Sequence, residues 1–477
     1  MKTDSRNGPP TTRSTPAKAQ LSGERQVMAV MHRRQVLLAT CVSYAVVMLD
    51  TSVVNVALER VGQAFGSSIH GLQWVVNAYT LMFASFLLSA GTLADRWGAR
   101  RVYLGGLCLF SIASGLCGLV PTLPMLILAR AIQGLGAALL VPSALKMIYQ
   151  ATLLDRVQRA SAVSLWAGLG GVAMAAGPLI GGSLIQVAGW RSLFLVNLPI
   201  CLVGIVLAWR LPADPPSQAR PPLDWKGLFS ALLALGGLVW VMIQGQDMGW
   251  TCAPIVTVTI LALVAGAVFI RVEARQDFPM LPLALFRHRL FRGSTFVSMA
   301  SAFVFYGLLF ILGLSYQRVL GYSPLQAGLA LLPMTAMVAL GNLLSSRLAR
   351  RFGIRRSIAL SFAGYAAGAL GVGFAVSTLI SPLGVLSMLA IGLASGFITP
   401  IATAPALDTV PAGLAGIAAA ALNAARQVGA ALGVAVFGTL IAVLQPFETA
   451  LQVIQGIIVL ASLVAMFSGW LSLEEPC

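Results

Sequence analysis

Charged residues are scarce in this sequence. They make up only 10% of its 477 residues, whereas apolar residues make up 58%. This composition excludes a soluble globular protein, because such a protein has too little interior to hide so much apolar side chain. Cysteine and histidine are also sparse, since the six cysteines form no CxxC pair and the three histidines are scattered. The sequence therefore indicates neither a disulfide framework nor a metal site, and we expect no cofactor.

The apolar residues are concentrated in long runs. A run of about 20 such residues spans a bilayer as a helix, because lipid offers no hydrogen-bond partner to an exposed backbone. We therefore expect an all-α polytopic membrane protein. Fourteen runs are predicted to span the membrane: 35–57, 72–90, 102–120, 123–145, 161–187, 192–210, 225–244, 252–271, 293–316, 324–345, 357–377, 381–404, 415–441 and 449–470.

Basic residues outnumber acidic residues by 31 to 15, and their placement predicts the orientation of the chain. With the N-terminus inside, 26 of them fall on inner segments and only Arg60, Arg191 and Arg318 fall on outer loops. This asymmetry follows the positive-inside rule and predicts that both termini are cytoplasmic. The inner loop near Asp408 is an exception, because it has no basic residue. Topology and some attraction to anionic lipid thus explain the net charge of +16 without nucleic acid.

An internal repeat divides the chain into two halves. Segment 93–101 resembles 348–356 at an offset of 255 residues, and 182–185 resembles 438–441 at an offset of 256. Two similar halves are the plan of many secondary transporters. We therefore predict two six-helix bundles, with spans 7 and 8 inserted between them. The predicted divisions are a disordered cytoplasmic tail, an N-terminal bundle, a linker with the two inserted helices and a C-terminal bundle, at 1–34, 35–210, 211–290 and 291–477.

Asp50 in span 1 and Arg130 in span 4 are the only charges of the first half that lie inside spans, away from the span ends. Each is seven residues from the outer end of its span, about 10 Å at 1.5 Å per residue, so their depths match. The two side chains, in direct contact or bridged by Gln133 or water, form either a fixed structural ion pair or a proton site. Burial raises the proton affinity of a carboxylate and a nearby arginine lowers it, so such a group can load and release a proton.

A charged turn, Gly-Thr-Leu-Ala-Asp-Arg-Trp-Gly-Ala-Arg-Arg, connects spans 2 and 3. Glycines allow a tight turn, and the arginines keep it on the cytoplasmic side. Asp95 can pair with a helix N-terminus or with an arginine such as Arg100. The alternative is an ordinary positive-inside loop. We predict that the turn gates a conformational change through Gly91, Asp95, Arg96, Gly98, Arg100 and Arg101.

Span 5 contains a run of small residues with one proline. Its sequence from 177 to 182 is Gly-Pro-Leu-Ile-Gly-Gly. Small residues four apart let helices touch, and proline bends a helix. By itself, the run is also compatible with plain close packing. Its candidate residues are Gly177, Pro178, Gly181 and Gly182.

Polar and aromatic residues inside other spans are candidates for a cavity that takes apolar or cationic solutes. Arg426 in span 13 has no acid at a matching depth in the second half. It is a substrate contact, a partner of Asp50 across the halves, or a structural arginine bonded to carbonyls. For the aromatic residues, a lipid-facing or interfacial position is equally compatible. The cavity candidates are Asn55, Trp74, Tyr79, Gln133, Tyr306, Asn423 and Arg426.

The charged turn resembles the G-x-L-A-D-R-x-G signature of the major facilitator superfamily, with Ala99 in place of the usual basic residue. The stretch Leu-Asp-x-x-x-x-Asn-Val-Ala-Leu around Asp50 is similar to the span-1 signature of the fourteen-span drug:proton antiporters in that superfamily. The segment at Arg130 resembles the span-4 motif of that family, whose arginine is tied to proton coupling. The segment Asn-x-x-Arg-Gln-x-Gly at Arg426 also resembles the family.

The Gly-Pro-x-x-Gly-Gly run is similar to a motif of antiporters in the superfamily, although Ser164 and Ala173 replace two upstream glycines of its long form. The whole layout resembles exporters of the methylenomycin A resistance type. The resemblance implies a monomeric inner-membrane exporter of a drug or antibiotic, driven by the proton gradient through alternating access. The alternatives are a proton-coupled symporter for a small solute and a sensor that binds ligand without moving it. An enzyme is disfavoured, because no nucleophile–base pair stands out.

Overall fold

The computed structural model describes residues 16–152, 156–212, 222–374, 382–410 and 414–472, and every regular element in these ranges is helical. The prediction of an all-α fold is therefore confirmed for these ranges. A 3₁₀ turn covers Leu283–Arg287. The α-helices are α1 Pro16–Phe65, α2 Ile69–Trp97, α3 Ala99–Leu119, α4 Leu123–Ala151, α5 Arg156–Ala188, α6 Ser192–Leu195, α7 Asn197–Trp209, α8 Trp225–Met248, α9 Ala253–Arg275, α10 Arg289–Arg318, α11 Pro324–Phe374, α12 Pro382–Asp408, α13 Ala415–Val443 and α14 Phe447–Ser472.

In the described ranges, thirteen helical segments are long and apolar enough to cross a membrane, with α6 and α7 counted together. This is one fewer than predicted, because the 51 residues of α11 cover the predicted spans 324–345 and 357–377. An unbroken helix of that length would measure about 76 Å, more than twice the hydrocarbon thickness of about 30 Å. Gly353 interrupts α11 with φ 76° and ψ 166°, angles that glycine adopts readily. The chain therefore changes direction at Gly353.

Helix α1 extends beyond the predicted span at both ends. It begins at Pro16, inside the segment expected to be a disordered tail, and it continues past Ala57 to Phe65. The added N-terminal part contains Ala, Gln, Lys, Arg and Glu, which have high helix propensity and let the helix continue out of the membrane. Residues 1–15 of the predicted tail lie outside the described residues.

The helices pack in two groups. In the first, α1 packs on α4, α5 and α7, and α4 packs on α2 and α3. In the second, α10 packs on α12 and α13, and α11 packs on α12 and α14. The groups meet where α5 contacts α11, α2 contacts α13 and α1 contacts α10. The repeat relates α2 to α11 and α5 to α13, so the first two contacts are equivalent to each other. The boundaries at 34, 210 and 290 stay predictions.

The two halves are joined by hydrogen bonds near one end. We call the end that holds Phe65 and Arg318 the outer end and the end that holds Gly98 the inner end, after the predicted orientation. Gln73 of α2 donates to two carbonyl oxygens of α13 at 3.0 and 2.7 Å. Gln317 of α10 donates to a carbonyl oxygen of α1 at 2.9 Å, and Arg318 pairs with Glu59 of α1. The structure is therefore closed at the outer end.

Helices α8 and α9, the predicted spans 7 and 8, form a hairpin beside the two halves. Helix α8 packs on α2 of one half and α13 of the other, where Val239 and Ile243 are buried with Leu81 and Ala435. Helix α9 packs mainly on α8, and its side chains are largely exposed, as at Leu263 with 69% exposure. Span 7 therefore fills a seam between the halves, whereas span 8 lies at the periphery.

Candidate functional site

Asp50 of α1 is fully buried and accepts hydrogen bonds from three side chains. Its Oδ2 accepts from Nη1 of Arg130 at 2.6 Å. Its Oδ1 accepts from Nε2 of Gln133 at 2.9 Å and from Nδ2 of Asn197 at 3.0 Å. The structure thus brings Asp50 and Arg130 together as a direct ion pair, one of the arrangements that their matching depths allowed.

The guanidinium of Arg130 is surrounded by further partners. Its Nε donates to the carbonyl of Val75 at 3.2 Å, and its Nη1 also donates to Oε1 of Gln133 at 2.6 Å. The ring centroid of Tyr79 lies 4.3 Å from the Cζ atom, within cation–π range. A buried ion pair is tolerated only where additional bonds offset the loss of hydration. The partners of Arg130 supply these bonds.

Sequence reasoning missed two members of this network, Asn197 of α7 and Ser114 of α3. The Ser114 hydroxyl accepts from Gln133 at 3.2 Å and from Asn197 at 3.0 Å, and all three side chains are fully buried. The sequence signal for them is weaker than the one for Asp50 and Arg130, because neither residue is charged. Each is a polar residue inside an apolar run, between one and two turns from the outer end of its predicted span.

The network links the charge on Asp50 to the packing of its helices. Protonation would remove the negative charge beside Arg130 and leave a buried cation without its counter-charge, which is strongly destabilising. Arg130 would then depend on its remaining partners, which are the carbonyl of Val75, the amide oxygen of Gln133 and the ring of Tyr79. Because Arg130 belongs to α4 and the amide donors belong to α4 and α7, the network ties the charge on Asp50 to the positions of both helices around α1.

A second group of polar and aromatic residues lies between the halves. Arg426 of α13 interacts with the hydroxyl of Tyr306 of α10, and both are within electrostatic reach of Tyr44 on α1. Tyr44 stacks on Trp166 of α5 with ring centroids 3.8 Å apart. Sequence reasoning missed Tyr44 and Trp166, because aromatic residues are common in spans. This group is the best candidate for a substrate contact.

The other predicted cavity residues lie elsewhere. Asn55 donates to a carbonyl of its own helix at 3.1 Å, at the contact of α1 with α10. Trp74 packs against the apolar cluster where α2, α8 and α13 meet. Tyr79 and Gln133 belong to the network around the ion pair. Asn423 is half-buried on α13, about one turn before the arginine of that helix. Only some of the predicted cavity residues therefore lie together between the two halves.

The glycines of α5 lie at its close contacts with α1 of the same half and α11 of the other half. A methyl group on Gly177 would lie 1.8 Å from a serine hydroxyl of α1, and one on Gly181 would lie 2.5 Å from a valine side chain of α1. A methyl group on Gly182 would lie 2.6 Å from the carbonyl oxygen of Pro324 in α11. Pro178 is buried inside the helix between these contacts. The run therefore provides close packing at the contact of the two halves.

The charged turn lies at the inner end, with Gly98 at φ 94° and ψ 139° between α2 and α3. Asp95 pairs with Nζ of Lys146 at 2.7 Å, and not with a helix N-terminus or Arg100 as expected. Helices α2 and α4 are packed neighbours, so the lysine at the inner end of α4 reaches the last turn of α2. Arg100 faces α7 and donates to two of its last carbonyls at 3.0 and 2.6 Å. All these partners belong to one half.

The remaining turn residues are distributed around this inner surface. Arg96 and Arg101 are exposed and line a groove of about 440 Å³ together with Trp97. Gly91 is half-buried, and a methyl group there would meet nothing within 4 Å. In this structure Gly91 therefore does not mark a close approach of helices.

Several sequence relatives of this chain are named as resistance proteins. The methylenomycin A resistance protein of Bacillus subtilis (strain 168) is 38% identical over 412 residues, which cover 85% of this chain and 87% of the relative. The protein of the same name from Streptomyces coelicolor is 34% identical, with 92% of each chain covered. The multidrug resistance protein Stp of Mycobacterium tuberculosis is 34% identical and covers 86% of this chain and 77% of the relative.

Two solved structures share the fold. A D-xylose-proton symporter matches with a TM-score of 0.65 at 17% identity, over 90% of this chain and 96% of its own. A bacterial homologue of the human lysosomal transporter Spinster, inward-facing and unoccupied, matches with a TM-score of 0.63 at 17% identity, over 94% and 99%. The family model described as Major Facilitator Superfamily matches residues 40–434. This chain therefore belongs to the major facilitator superfamily.

Proposed function

We propose that this protein exports a drug or antibiotic across the plasma membrane in exchange for protons, by alternating access. The names of its relatives support drug export, since they are methylenomycin A and multidrug resistance proteins. The buried ion pair of Asp50 and Arg130 carries the proposal of proton coupling. In this proposal the proton gradient supplies the free energy, no cofactor takes part, and the protein is a monomeric transporter and not an enzyme.

In this mechanism α11 forms two crossings joined at Gly353, and the chain then crosses the membrane fourteen times. With such a count both termini lie on the same side of the membrane, and the distribution of basic residues favours the cytoplasmic side. Helices α6 and α7 then form one crossing, and the α8–α9 hairpin forms two.

Helix α1 would transmit the effect of proton uptake at Asp50 to the substrate contacts. Loss of the counter-charge moves Arg130, and α4 and α7 repack around α1. Tyr44 lies six residues before Asp50 on the same helix, about 9 Å along its axis. A shift of α1 would therefore change the position of Tyr44 relative to Tyr306 and Arg426 in the other half.

Arg426 narrows the class of substrate. The aromatic faces of Tyr44 and Trp166 suit an apolar solute, and the guanidinium of Arg426 suits a carbonyl or carboxylate oxygen on it. A cationic solute, which the sequence left open, is disfavoured beside this charge.

Everted vesicles test the direction of coupling. A susceptibility panel with and without expression first identifies a substrate. Vesicles with an acidic lumen should then accumulate that substrate as protons leave the lumen. A symporter would instead acidify the lumen when substrate enters without a gradient, and a sensor would move neither. Either of those results would reject the proposed exchange.

Arg130→Ala is expected to slow transport and to move its pH profile to higher pH. Arg130 favours the ionised form of Asp50, so its removal leaves the carboxyl more readily protonated and slower to release its proton. The measurement is the initial transport rate as a function of pH. Arg130→Lys, which keeps the charge, is the matched control. A profile that does not move in Arg130→Ala would remove the link between Arg130 and protonation.

The α8–α9 hairpin is expected to lie outside the substrate pathway. Single cysteines at Leu233 of α8 and Leu263 of α9, which are 65% and 69% exposed, should react with a lipid-soluble reagent at rates that substrate does not change. The background lacks the six native cysteines. A cysteine at Tyr306 provides the comparison, because substrate should protect it. Strong protection at the hairpin would place these helices in the pathway.

A further inference from the structure

Two buried carboxyl groups meet at the inner end of the α8–α9 hairpin. Asp224 precedes the first residue of α8 and is 8% exposed, and Glu273 in the last turn of α9 is 2% exposed. Oδ1 of Asp224 accepts from the backbone N–H of Gly227 at 2.7 Å and from Nε2 of Gln276 at 2.8 Å. Oε2 of Glu273 accepts from the backbone N–H of Leu281 at 2.9 Å. One oxygen of each carboxyl group is thus satisfied.

The second oxygen of each group has no donor in the described part of the chain. Oδ2 of Asp224 and Oε1 of Glu273 are both buried and both without a hydrogen-bond partner. They point to the same place, because a methyl group on Gly227 would lie 2.2 Å from the first and 2.7 Å from the second. The two carboxyl groups are within hydrogen-bonding reach of each other. The unpartnered oxygens therefore face each other across a small buried space.

No basic side chain neutralises this pair among the described residues. Neither acid forms a salt bridge with a described residue. The basic residues of the same two helices, Lys226, Arg271 and Arg275, are exposed. The remaining nearby acid, Asp277, is also exposed. Two neighbouring buried carboxylates are not both stable as anions, because like charges repel and burial disfavours the charged form of each group. A proton between the two free oxygens removes one charge and supplies the missing hydrogen bond.

We propose that Asp224 and Glu273 form a proton-binding site that holds one proton between Oδ2 and Oε1. The site is separate from Asp50, which lies on another helix. The proposal can therefore be tested independently of the proposed export mechanism. Because both acids are at the inner end, the site equilibrates with the solution on that side of the membrane.

The bound proton fixes the segment that leads from α9 to α10. Gln276 bonds to Asp224 and Leu281 bonds to Glu273, so the carboxyl pair anchors this segment at two points. Between them, Met280 is buried against Leu88 of α2, and the hydroxyl of Ser89 donates to its sulfur at 3.5 Å. Because α2 belongs to the N-terminal half, proton loss and the resulting repulsion loosen a contact with that half at the inner end.

Infrared difference spectroscopy tests the proton directly. The carbonyl stretch of a protonated carboxylic acid should be present in the parent protein near neutral pH and should lose intensity in Glu273→Gln and in Asp224→Asn. Asp277→Asn removes an exposed carboxylate of the same segment and should leave the band unchanged. If the band is equally strong in all four proteins, the pair holds no proton and the proposal is wrong.

Cross-linking tests the consequence. A cysteine pair at Ser89 and Met280, in a background without the native cysteines, should cross-link several-fold less as the pH of the inner side rises. Glu273→Gln, which resembles the protonated form, should abolish this dependence. Cross-linking that does not change with pH would overturn the proposal. A change in cross-linking when a chelator or a divalent cation is added at constant pH would also overturn it, because the site would then hold a metal ion in place of the proton.

Discussion

Asp50→Asn is expected to abolish proton-driven transport. The substitution removes the only acid in contact with Arg130 in the described part of the chain and with it the group that would load and release the proton. It also leaves Arg130 buried without a counter-charge, which lowers stability by about 3–5 kcal/mol. Uptake by everted vesicles under a pH gradient should fall to the level of vesicles without the protein. Membrane insertion and thermal unfolding must be measured alongside.

A double variant separates coupling from stability. Asp50→Asn combined with Arg130→Met removes both charges, and neutral replacement of a buried ion pair is often close to neutral for stability. We expect this variant to regain stability without regaining proton-driven transport. If Asp50 and Arg130 form a fixed structural ion pair, the double variant should regain both. Accumulation of substrate against a gradient by either variant would show that Asp50 is not the coupling site.

The spans and the ion pair could be predicted because each depends on one large free-energy penalty. For the spans it is the exposure of apolar residues to water, and for the ion pair it is an unpaired charge in the bilayer. A run of apolar residues has one stable place, the bilayer, and a charge inside such a run needs a partner at its own depth. Those two rules place Asp50 opposite Arg130 without any knowledge of the helix packing. They do not identify Ser114 or Asn197, because an uncharged polar residue is inexpensive enough in a span to occur without a partner.

Contacts between the halves could not be predicted, because they depend on which face each helix turns to its neighbour. Trp74 and Tyr306 are both aromatic residues in apolar runs, yet the first packs against the apolar cluster of α2, α8 and α13 and the second lies beside Arg426. Similarly, Asp95 had several partners within reach of its short side chain. Which one it takes depends on the packing of α2 against α4, and that packing brings Lys146 to it.

Asp95→Asn is expected to reduce transport at least tenfold while substrate binding is kept or improved. The turn lies at the inner end, on the order of 15 Å from the membrane midplane, so it does not touch a central site. In the outward-facing state, we expect Asp95 to help hold the inner ends of the two halves together. In the present structure, which is closed at the outer end, it pairs with Lys146 of its own half.

The direction in which Asp95→Asn shifts the conformational equilibrium depends on the energies of two contacts of Asp95. One is the contact that closes the inner end, and the other is the pair with Lys146. Asp95 is 56% exposed in its pair with Lys146, and exposed ion pairs contribute about 0–1 kcal/mol. A contact that closes the inner end is less hydrated, so its loss costs the outward-facing state more. Asp95→Asn should therefore favour the form that is closed at the outer end. Lys146→Met should act in the opposite direction, by up to roughly fivefold in population, because it releases Asp95 from its present partner.

A cysteine at Gln317 reports this population from outside. Gln317 is 8% exposed, and its side chain reaches α1 of the other half, so a cysteine there becomes accessible only when the outer end opens. The lost hydrogen bond is common to all the proteins compared. Labelling should decrease with Asp95→Asn and increase with Lys146→Met, while binding in detergent persists in both. Loss of binding together with unchanged labelling would mean that the turn shapes the site or the fold, and the gating role would then be wrong.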